Sequence, residues 1–415
     1  MKEMKGVATI AIAIVIIVAV IAAVAAYVYL TPPEEEEPEE VTITVWHRFN
    51  EEEASVYEAF IETFESEHPN IEVNFEFIPG ELMKDRVITS IAGGAGPDLF
   101  EWAHDFTGTL VVGDYIVPID EFVTTELREK FVASALEAGE YEGNLYALPF
   151  AAETTVMAYN NELMGDRPIP ETTDELVALM AEFKEEGIYG ASYPINPYFV
   201  SCWVHAFGGY YWDDETKTVG VNSPETKQAV EWIVEKFKPY LYEDIGWDAQ
   251  VALFPEDQAP LAINGPWMFG SWDGAEIDYT LSTYPKISEL GVDPMPYTGV
   301  RVFWMNKNSE HREEAIAFLE WFTTDLSLVV TRSTSFGYVP VLEEVLERPE
   351  IEGDPKIGVV AAQVALGTPM AAGPEMIAVW GPLEDALNAI WAGTKDISTA
   401  LDDAQAEIEE AIAEM

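Results

Sequence analysis

The chain has 415 residues, 48% of them hydrophobic, with 21 Lys plus Arg against 75 Asp plus Glu, a formal net charge of −54. That length and apolar content suit two domains with a large core and exclude a disordered chain. The charge excludes nucleic acid as a partner, whose affinity comes chiefly from Lys and Arg on phosphates, and it repels anionic lipid and anionic solutes for the same Coulombic reason.

Val7 to Leu30 is an apolar run in which Thr9 is the only clearly polar side chain. As a helix it would span ~36 Å, enough to cross a ~30 Å hydrocarbon core with some tilt. Lys2 and Lys5 precede it and glutamates follow, so the positive-inside rule puts the remainder outside the cell. A retained anchor over residues 1–30 is the favoured reading. A cleaved signal segment is the alternative, because Ala22 to Ala26 offers small-residue cleavage sites. Residues 31–40 (TPPEEEEPEE) read as a stiff, self-repelling tether.

The exported body opens with the β-branched strand Val41 to Trp46. A helix over Glu51 to Glu67 follows, with Val56, Phe60, Ile61 and Phe64 at helical spacing. Ile71 to Ile78 reads as a second strand, Leu82 to Ala92 as a helix, Gly93 to Gly96 as a turn, and Asp98 to Trp102 as a third strand. This β-α-β-α-β order predicts a mostly parallel sheet with ligands beyond the carboxyl ends of its strands. Tyr146 to Tyr159 is a long extended stretch suited to a crossover. A second αβ block follows, with a capping box at Thr172 and Glu175, a helix started by Ser223-Pro224, and a strand at Leu261 to Asn264. Helices are expected from about Glu310 to Phe322 and from about Ile357 onward.

The chemistry-bearing motifs point away from metal and covalent catalysis. His47, His68, His104, His205 and His311 are scattered, with no HExxH or CxxC, and no cofactor is implied. Gly93 to Gly96 lacks the Lys-Ser/Thr of a phosphate loop, and no G-x-S-x-G occurs. The lone Cys202 excludes an intrachain disulfide and reads as a buried small residue. The 12 Trp, 18 Tyr and 20 Phe carry more information. Trp stacks on the apolar face of a pyranose while carboxylates and amides meet its hydroxyls. Most of these aromatics belong to the core. Several instead sit beside polar residues in loop-like contexts: Trp102-Ala-His104-Asp105 at a strand end, Glu153 within the crossover, Asn196-Pro197-Tyr198-Phe199 as a turn, Gly265-Pro266-Trp267 after a strand, and Trp380-Gly381-Pro382 opening or preceding a helix.

These segments resemble the maltose/maltodextrin branch of the solute-binding proteins that serve ATP-driven (ABC) importers, and most closely its archaeal members. The resemblance runs from about Val41 to the C-terminus. It is carried by Gly96-Pro-Asp-Leu-Phe-Glu-Trp-Ala-His-Asp105, Tyr146-Ala-Leu-Pro-Phe-Ala-Ala-Glu153, Tyr198-Phe199 with Gly208-Gly-Tyr210, Asn264-Gly-Pro-Trp267 and Met376-Ile-Ala-Val-Trp380. It implies an α/β fold of two lobes (class II periplasmic-binding-protein-like), each a mixed, mostly parallel sheet flanked by helices. The first lobe would be 41–150 plus 301–346 and the second 154–299 plus 350–415, with a hinge near 150–153, 298–300 and 346–350. Such lobes close on sugar held between them.

The implied function is extracellular, non-enzymatic capture of maltodextrin, maltotriose or maltose by a monomer that delivers it to membrane permease subunits. Tyr198, Trp267 and Trp380 would stack on sugar rings, with Trp102 lining the pocket. Asp105 and Glu153 would accept hydroxyl hydrogen bonds, and Asn50, Asn196, Phe199 and Met370 would complete the ligand set. The departures from the bacterial pattern lie among the basic donors: Glu51, Phe106 and Glu384 stand where that pattern has Lys or Arg. The expectation is therefore a stacking floor retained and cationic donors lost. The rival readings are the same fold for another oligosaccharide, a surface adhesin, and a glycoside hydrolase, which needs two carboxyl groups ~5–9.5 Å apart. The acid excess is expected to reflect high salt, acid surroundings or plain solubility.

Overall fold

The computed structural model describes residues 19–22 and 40–415. The expected membrane segment therefore lies, apart from residues 19–22, outside the described residues; among those described, no helix is long and apolar enough to cross a membrane.

Strand β1 (Val41–His47) buries Ile43 and Val45 and leads directly to Asn50, which caps helix α1 (Glu51–Glu67). The Asn50 side chain accepts the Glu53 amide and the Glu53 carboxylate accepts the Asn50 amide, a reciprocal box that satisfies two otherwise orphaned donors. β2 (Ile71–Phe77), α2 (Gly80–Ala92) and β3 (Leu99–Ala103) complete the opening, and β1 pairs in parallel with β3. β4 (Ala147–Glu153) and β5 (Val156–Asn160) are separated only by Thr154 and Thr155, yet they join different sheets.

The later elements are α3 (Thr173–Glu186), α4 (Pro197–Ala206), α5 (Pro224–Lys236), β6 (Leu261–Asn264), β7 (Tyr279–Ser282), β8 (Tyr297–Met305), α6 (Arg312–Thr324), α7 (Leu326–Phe336), α8 (Pro355–Leu366), β9 (Thr368–Pro369), α9 (Pro374–Trp391) and α10 (Ile397–Ala413). The capping box at Thr172 and Glu175 and the Ser223 cap form as the sequence implies.

The largest sheet has the order β9-β8-β3-β1-β2, with β4 also paired to β8; a second, three-stranded sheet has the order β6-β5-β7, and two short two-stranded pairs lie outside both. β8 runs antiparallel to both β3 and β4 and parallel to β9, while β5 is antiparallel to both its neighbours. This corrects the expectation of mostly parallel sheets. β8 re-enters the first sheet from the side where β4 leaves it, and β5 continues a crossing strand rather than closing a β-α-β unit, so neither inherits the parallel direction of β1 and β3. The β4–β8 register shifts between Arg301 and Val302 and skips Phe150, next to Pro149, which has no N–H for the ladder. The freed Phe150 carbonyl accepts from the buried Arg332 guanidinium at 2.9 Å.

Two further expectations are corrected. Asn196 to Phe199 is the first turn of α4: Asn196 accepts the Phe199 amide and Pro197 occupies the first helical position, where its missing N–H costs nothing. Trp380-Gly381-Pro382 lies inside α9 rather than before a helix. Pro382 removes one internal hydrogen bond. The apolar face of α9, with Met376, Val379, Leu383, Leu387 and Ile390 buried, outweighs that loss.

Most aromatics are core, as composition suggested. Phe49, Tyr57, Phe150, Phe303 and Phe322 interlock on one side of the first sheet, and Trp304, Phe100 and Trp46 fill the other. Trp203, Trp232, Phe237 and Tyr284 form the centre of the core beside the second sheet. Cys202 is free and fully buried there, and burial pushes its thiol well up.

Candidate functional site

β3 ends at Ala103 and the chain tightens into a single 3-10 turn, His104–Phe106, which buries Asp105. The turn is pinned by the His104 ring. Its Nδ1 accepts the Val300 amide at 3.1 Å, so its Nε2–H donates to the Met370 carbonyl at 3.0 Å. The imidazole is thereby neutral, and its burial holds it below its ordinary range.

Asp105 receives the Trp380 indole N–H on Oδ2 at 3.0 Å, joining the turn after β3 to α9 across 275 positions of sequence. Its Oδ1 is buried and accepts nothing among the described residues. Glu153, at the end of β4, repeats the pattern with a buried Oε2 that has no donor. Burial raises the Glu153 carboxyl, against the pull of Arg301 and Arg48. A buried acceptor without a donor costs ~1–3 kcal/mol of desolvation. Glu53 Oε1 shares that condition. What marks Asp105 and Glu153 as places for a ligand's donors is the half-buried aromatic setting they share.

Around these carboxylates stand half-buried aromatics, unlike the sealed Trp203, Trp272 and Trp304 of the cores. Tyr198 and Trp267 lie 6.1 Å apart, ring to ring. The Tyr198 hydroxyl reaches the Tyr297 carbonyl at 3.5 Å, and the Tyr297 ring meets Trp380 edge-on at 5.9 Å. Burial pushes the Tyr198 hydroxyl well up, reinforced by the nearby Glu153 and Asp105 charges and opposed by Arg48. Gly299 sits between Glu153 and Met370: a Cβ there would lie 3.4 Å from each side chain.

The structure thus brings together Trp102, Asp105, Glu153, Tyr198, Trp267, Met370 and Trp380. Three expected members are engaged otherwise. Asn50 uses its oxygen on the α1 cap and its Nδ2 on the Trp267 carbonyl at 2.9 Å, tying α1 to the loop after β6. Asn196 caps α4, and Phe199 is buried beneath the Tyr198–Trp267 pair.

Two residues that sequence reasoning passed over correct the expectation of lost cations. Arg48 lies over the Trp102 ring at 4.2 Å and approaches Glu153 to 3.8 Å. Lys84, from α2, stands 5.1 Å from the same ring and 3.8 Å from Asp105. Burial holds the Lys84 ammonium below its ordinary range, countered by Asp105. Arg48 had a signal in its place two residues before Asn50. Lys84 had none, since only the turn from α2 into β3 brings it to Asp105.

Behind Arg48 lies a buried ionic cluster. Burial alone would raise Glu101, but Arg301 at 2.6 Å, with Arg48, holds it below its ordinary range. Glu53 is 3.9 Å from the same arginine, and there burial prevails and its carboxyl is pushed up to about 7. One guanidinium cannot serve both carboxylates equally.

Elsewhere, a depression of about 440 Å³ involves Trp46, Glu76, Arg86 and Gly96. It shares no residue with this cluster, and its Trp46 ring is covered by Arg86 at 4.7 Å. No group of three or more His, Cys, Asp or Glu among the described residues is placed to hold a metal ion.

Residues 49–325 match the family described as bacterial extracellular solute-binding protein. The chain belongs to that family. It is 37% identical over 372 residues to the maltotriose-binding protein of Pyrococcus abyssi, covering 88% of this chain and 81% of that one. It is 24% identical over 377 residues to the galactooligosaccharide-binding protein of Bacillus subtilis, covering 87% of each. Among solved structures, the Thermus thermophilus maltotriose-binding protein with maltotriose superposes at a TM-score of 0.82 and 26% identity, covering 89% of this chain and all of that one. The Bdellovibrio bacteriovorus maltose/maltodextrin-binding domain reaches 0.84 at 24% identity, covering 90% and 100%, and bears on the fold alone. This solute-binding protein is therefore a homologue of named sugar-binding proteins, not of enzymes.

Proposed function

We propose that the protein reversibly binds maltotriose-type α-1,4-glucans between two lobes and delivers them to the permease of an ABC importer. The observation that carries this reading is the pair of buried, donorless carboxylate oxygens on Asp105 and Glu153, set among the half-buried rings of Tyr198, Trp267 and Trp380. A pyranose offers what those groups lack: hydroxyl donors at its edge and an apolar face for the rings. The name of the 37% identical Pyrococcus relative points to the same ligand.

In this reading the first lobe is 41–150 plus 301–346 and the second 154–299 plus 350–415, with passages near 150–153, 298–300 and 346–350. Trp102, Asp105 and Glu153 line the sugar site from the first lobe and the hinge, with Asn50 bracing it through its bond to the Trp267 carbonyl. Tyr198, Trp267, Met370 and Trp380 serve the second, with Asn196 as the α4 cap and Phe199 as the packing beneath the Tyr198–Trp267 pair. The Asn50–Trp267 and Asp105–Trp380 hydrogen bonds are then contacts of a closed arrangement. Binding holds the lobes together because sugar touches both, and a ligand shifts an equilibrium only by its differential affinity for the two states. The body acts as a monomer at the outer face of the membrane, held there by residues 1–30 through the 31–40 tether.

Titration calorimetry with maltotriose, maltose, galacto-oligosaccharides and peptides tests the reading. Saturable binding is expected for maltotriose, with no glucose or maltose released on incubation. Steady product release would replace the trap by a hydrolase, and preference for the galacto-oligosaccharide would change the sugar class.

A further inference from the structure

We infer that Lys84 and Arg48 are the hydroxyl donors that set specificity in this site, and that Trp102 is the positioning residue that holds both. The inference rests on the sugar-binding reading.

A sugar hydroxyl that donates to Asp105 or Glu153 still presents lone pairs, and a carboxylate cannot meet them because it only accepts. Recognition of a particular hydroxyl therefore needs a donor beside each carboxylate. The geometry supplies one for each. Lys84 Nζ is 3.8 Å from Asp105 Oδ2, and Arg48 Nη2 is 3.8 Å from Glu153 Oε1. Both gaps exceed hydrogen-bond reach but keep the charges in contact, so each N–H is free for an oxygen lying against both groups. Arg48 Nε, likewise buried, has no acceptor among the described residues.

Trp102 explains why these flexible side chains stay. The Arg48 guanidinium lies 4.2 Å from its ring centroid and the Lys84 ammonium 5.1 Å, both within cation–π range. Phe106 adds a second ring 5.1 Å from Lys84. Arg48 is further fixed by its own amide, which donates to Glu101 at 2.9 Å, and Glu101 is held by Arg301. Trp102 thus orders two donors instead of offering a free stacking face. The aromatic at position 106, where the bacterial pattern has a basic residue, becomes part of the Lys84 seat.

Calorimetry on the full chain tests this with maltotriose and its set of monodeoxy analogues, using Lys84→Met, Lys84→Arg and Trp102→Leu. Lys84→Met is expected to weaken maltotriose about tenfold or more, the range for a hydrogen bond from a charged donor. It is also expected to erase the discrimination against one deoxy analogue, so that the losses from side chain and hydroxyl do not add. Lys84→Arg should restore most of both. Trp102→Leu should relax discrimination at two hydroxyls, one for each cation. Melting temperatures identify any variant that fails to fold, and the conservative Lys84→Arg then carries the comparison. Unchanged affinity in Lys84→Met, or an equal loss for every analogue, overturns the inference while leaving the sugar reading intact. If the unmodified chain binds no α-glucan, the sugar reading falls and takes the inference with it.

Discussion

Glu53→Gln is expected to stabilise the protein at neutral and alkaline pH and to lose that advantage in acid. Glu53 is fully enclosed between Asn50, Arg301, Glu101 and Tyr338, and its carboxyl is pushed up from 4.5 to about 7, chiefly by burial. A raised carboxyl pKa means that the folded state holds its proton where the unfolded chain has released it. The stabilising contribution is therefore whole below about pH 4.5 and is lost progressively as pH rises to about 7. Moving the carboxyl from 4.5 to about 7 corresponds to about 3 kcal/mol, a tenfold change in proton affinity being worth ~1.4 kcal/mol. Gln cannot ionise, yet it keeps an oxygen to accept the Asn50 amide that closes the capping box. Relative to the unmodified protein, the variant should thus gain about 3 kcal/mol between pH 4 and pH 8. That is roughly 5 °C in melting temperature for a body of this size. His47 works in the opposite sense, since burial lowers it to about 4 and its contribution is lost as pH falls from 6.5 toward 4. It is present in both proteins and cancels in the difference. Differential scanning calorimetry at pH 4, 5.5 and 8 provides the measurement. A difference that is flat with pH, or a variant least stable at pH 8, would refute the assignment of a raised carboxyl beside a shared arginine.

Trp267→Ala and Trp380→Ala should each lose about 2 kcal/mol or more of maltotriose affinity, as for anchors at an interface, with small melting shifts; unchanged affinity with a large drop in melting temperature would make them core residues. Small-angle scattering should show a smaller radius of gyration on adding maltotriose, with Asp105→Ala and Tyr198→Ala each raising the sugar concentration required. A radius that stays constant at saturation would rule out lobe closure. The melting temperature should rise steeply from low to molar salt if the 54 excess negative charges reflect salt adaptation, because screening then removes self-repulsion. A flat profile leaves acid surroundings or plain solubility as the reason for the charge.

Many local elements were legible in the sequence, and so was a set of residues that the structure brings together. The start of α1 at Glu51, the capping box at Thr172 and the Ser223-Pro224 helix start follow from side chains satisfying nearby backbone donors, an interaction written within four residues. Trp102, Asp105, Glu153, Tyr198, Trp267 and Trp380 were legible because motifs in a fixed order mark them, and the structure brings all six together. The rest depended on how the elements pack in three dimensions. Strand direction is set by where the chain re-enters a sheet, so the antiparallel β5 and β8 have no local signature. Pro382 stays inside α9 because burial of its helix face outweighs one lost hydrogen bond, and no propensity reports what a helix packs against. The Lys84–Asp105 and Arg48–Glu153 pairs span 21 and 105 positions. Contacts at that separation depend on how strands and turns stack in space, and a charge read along the chain does not say which carboxylate it will meet.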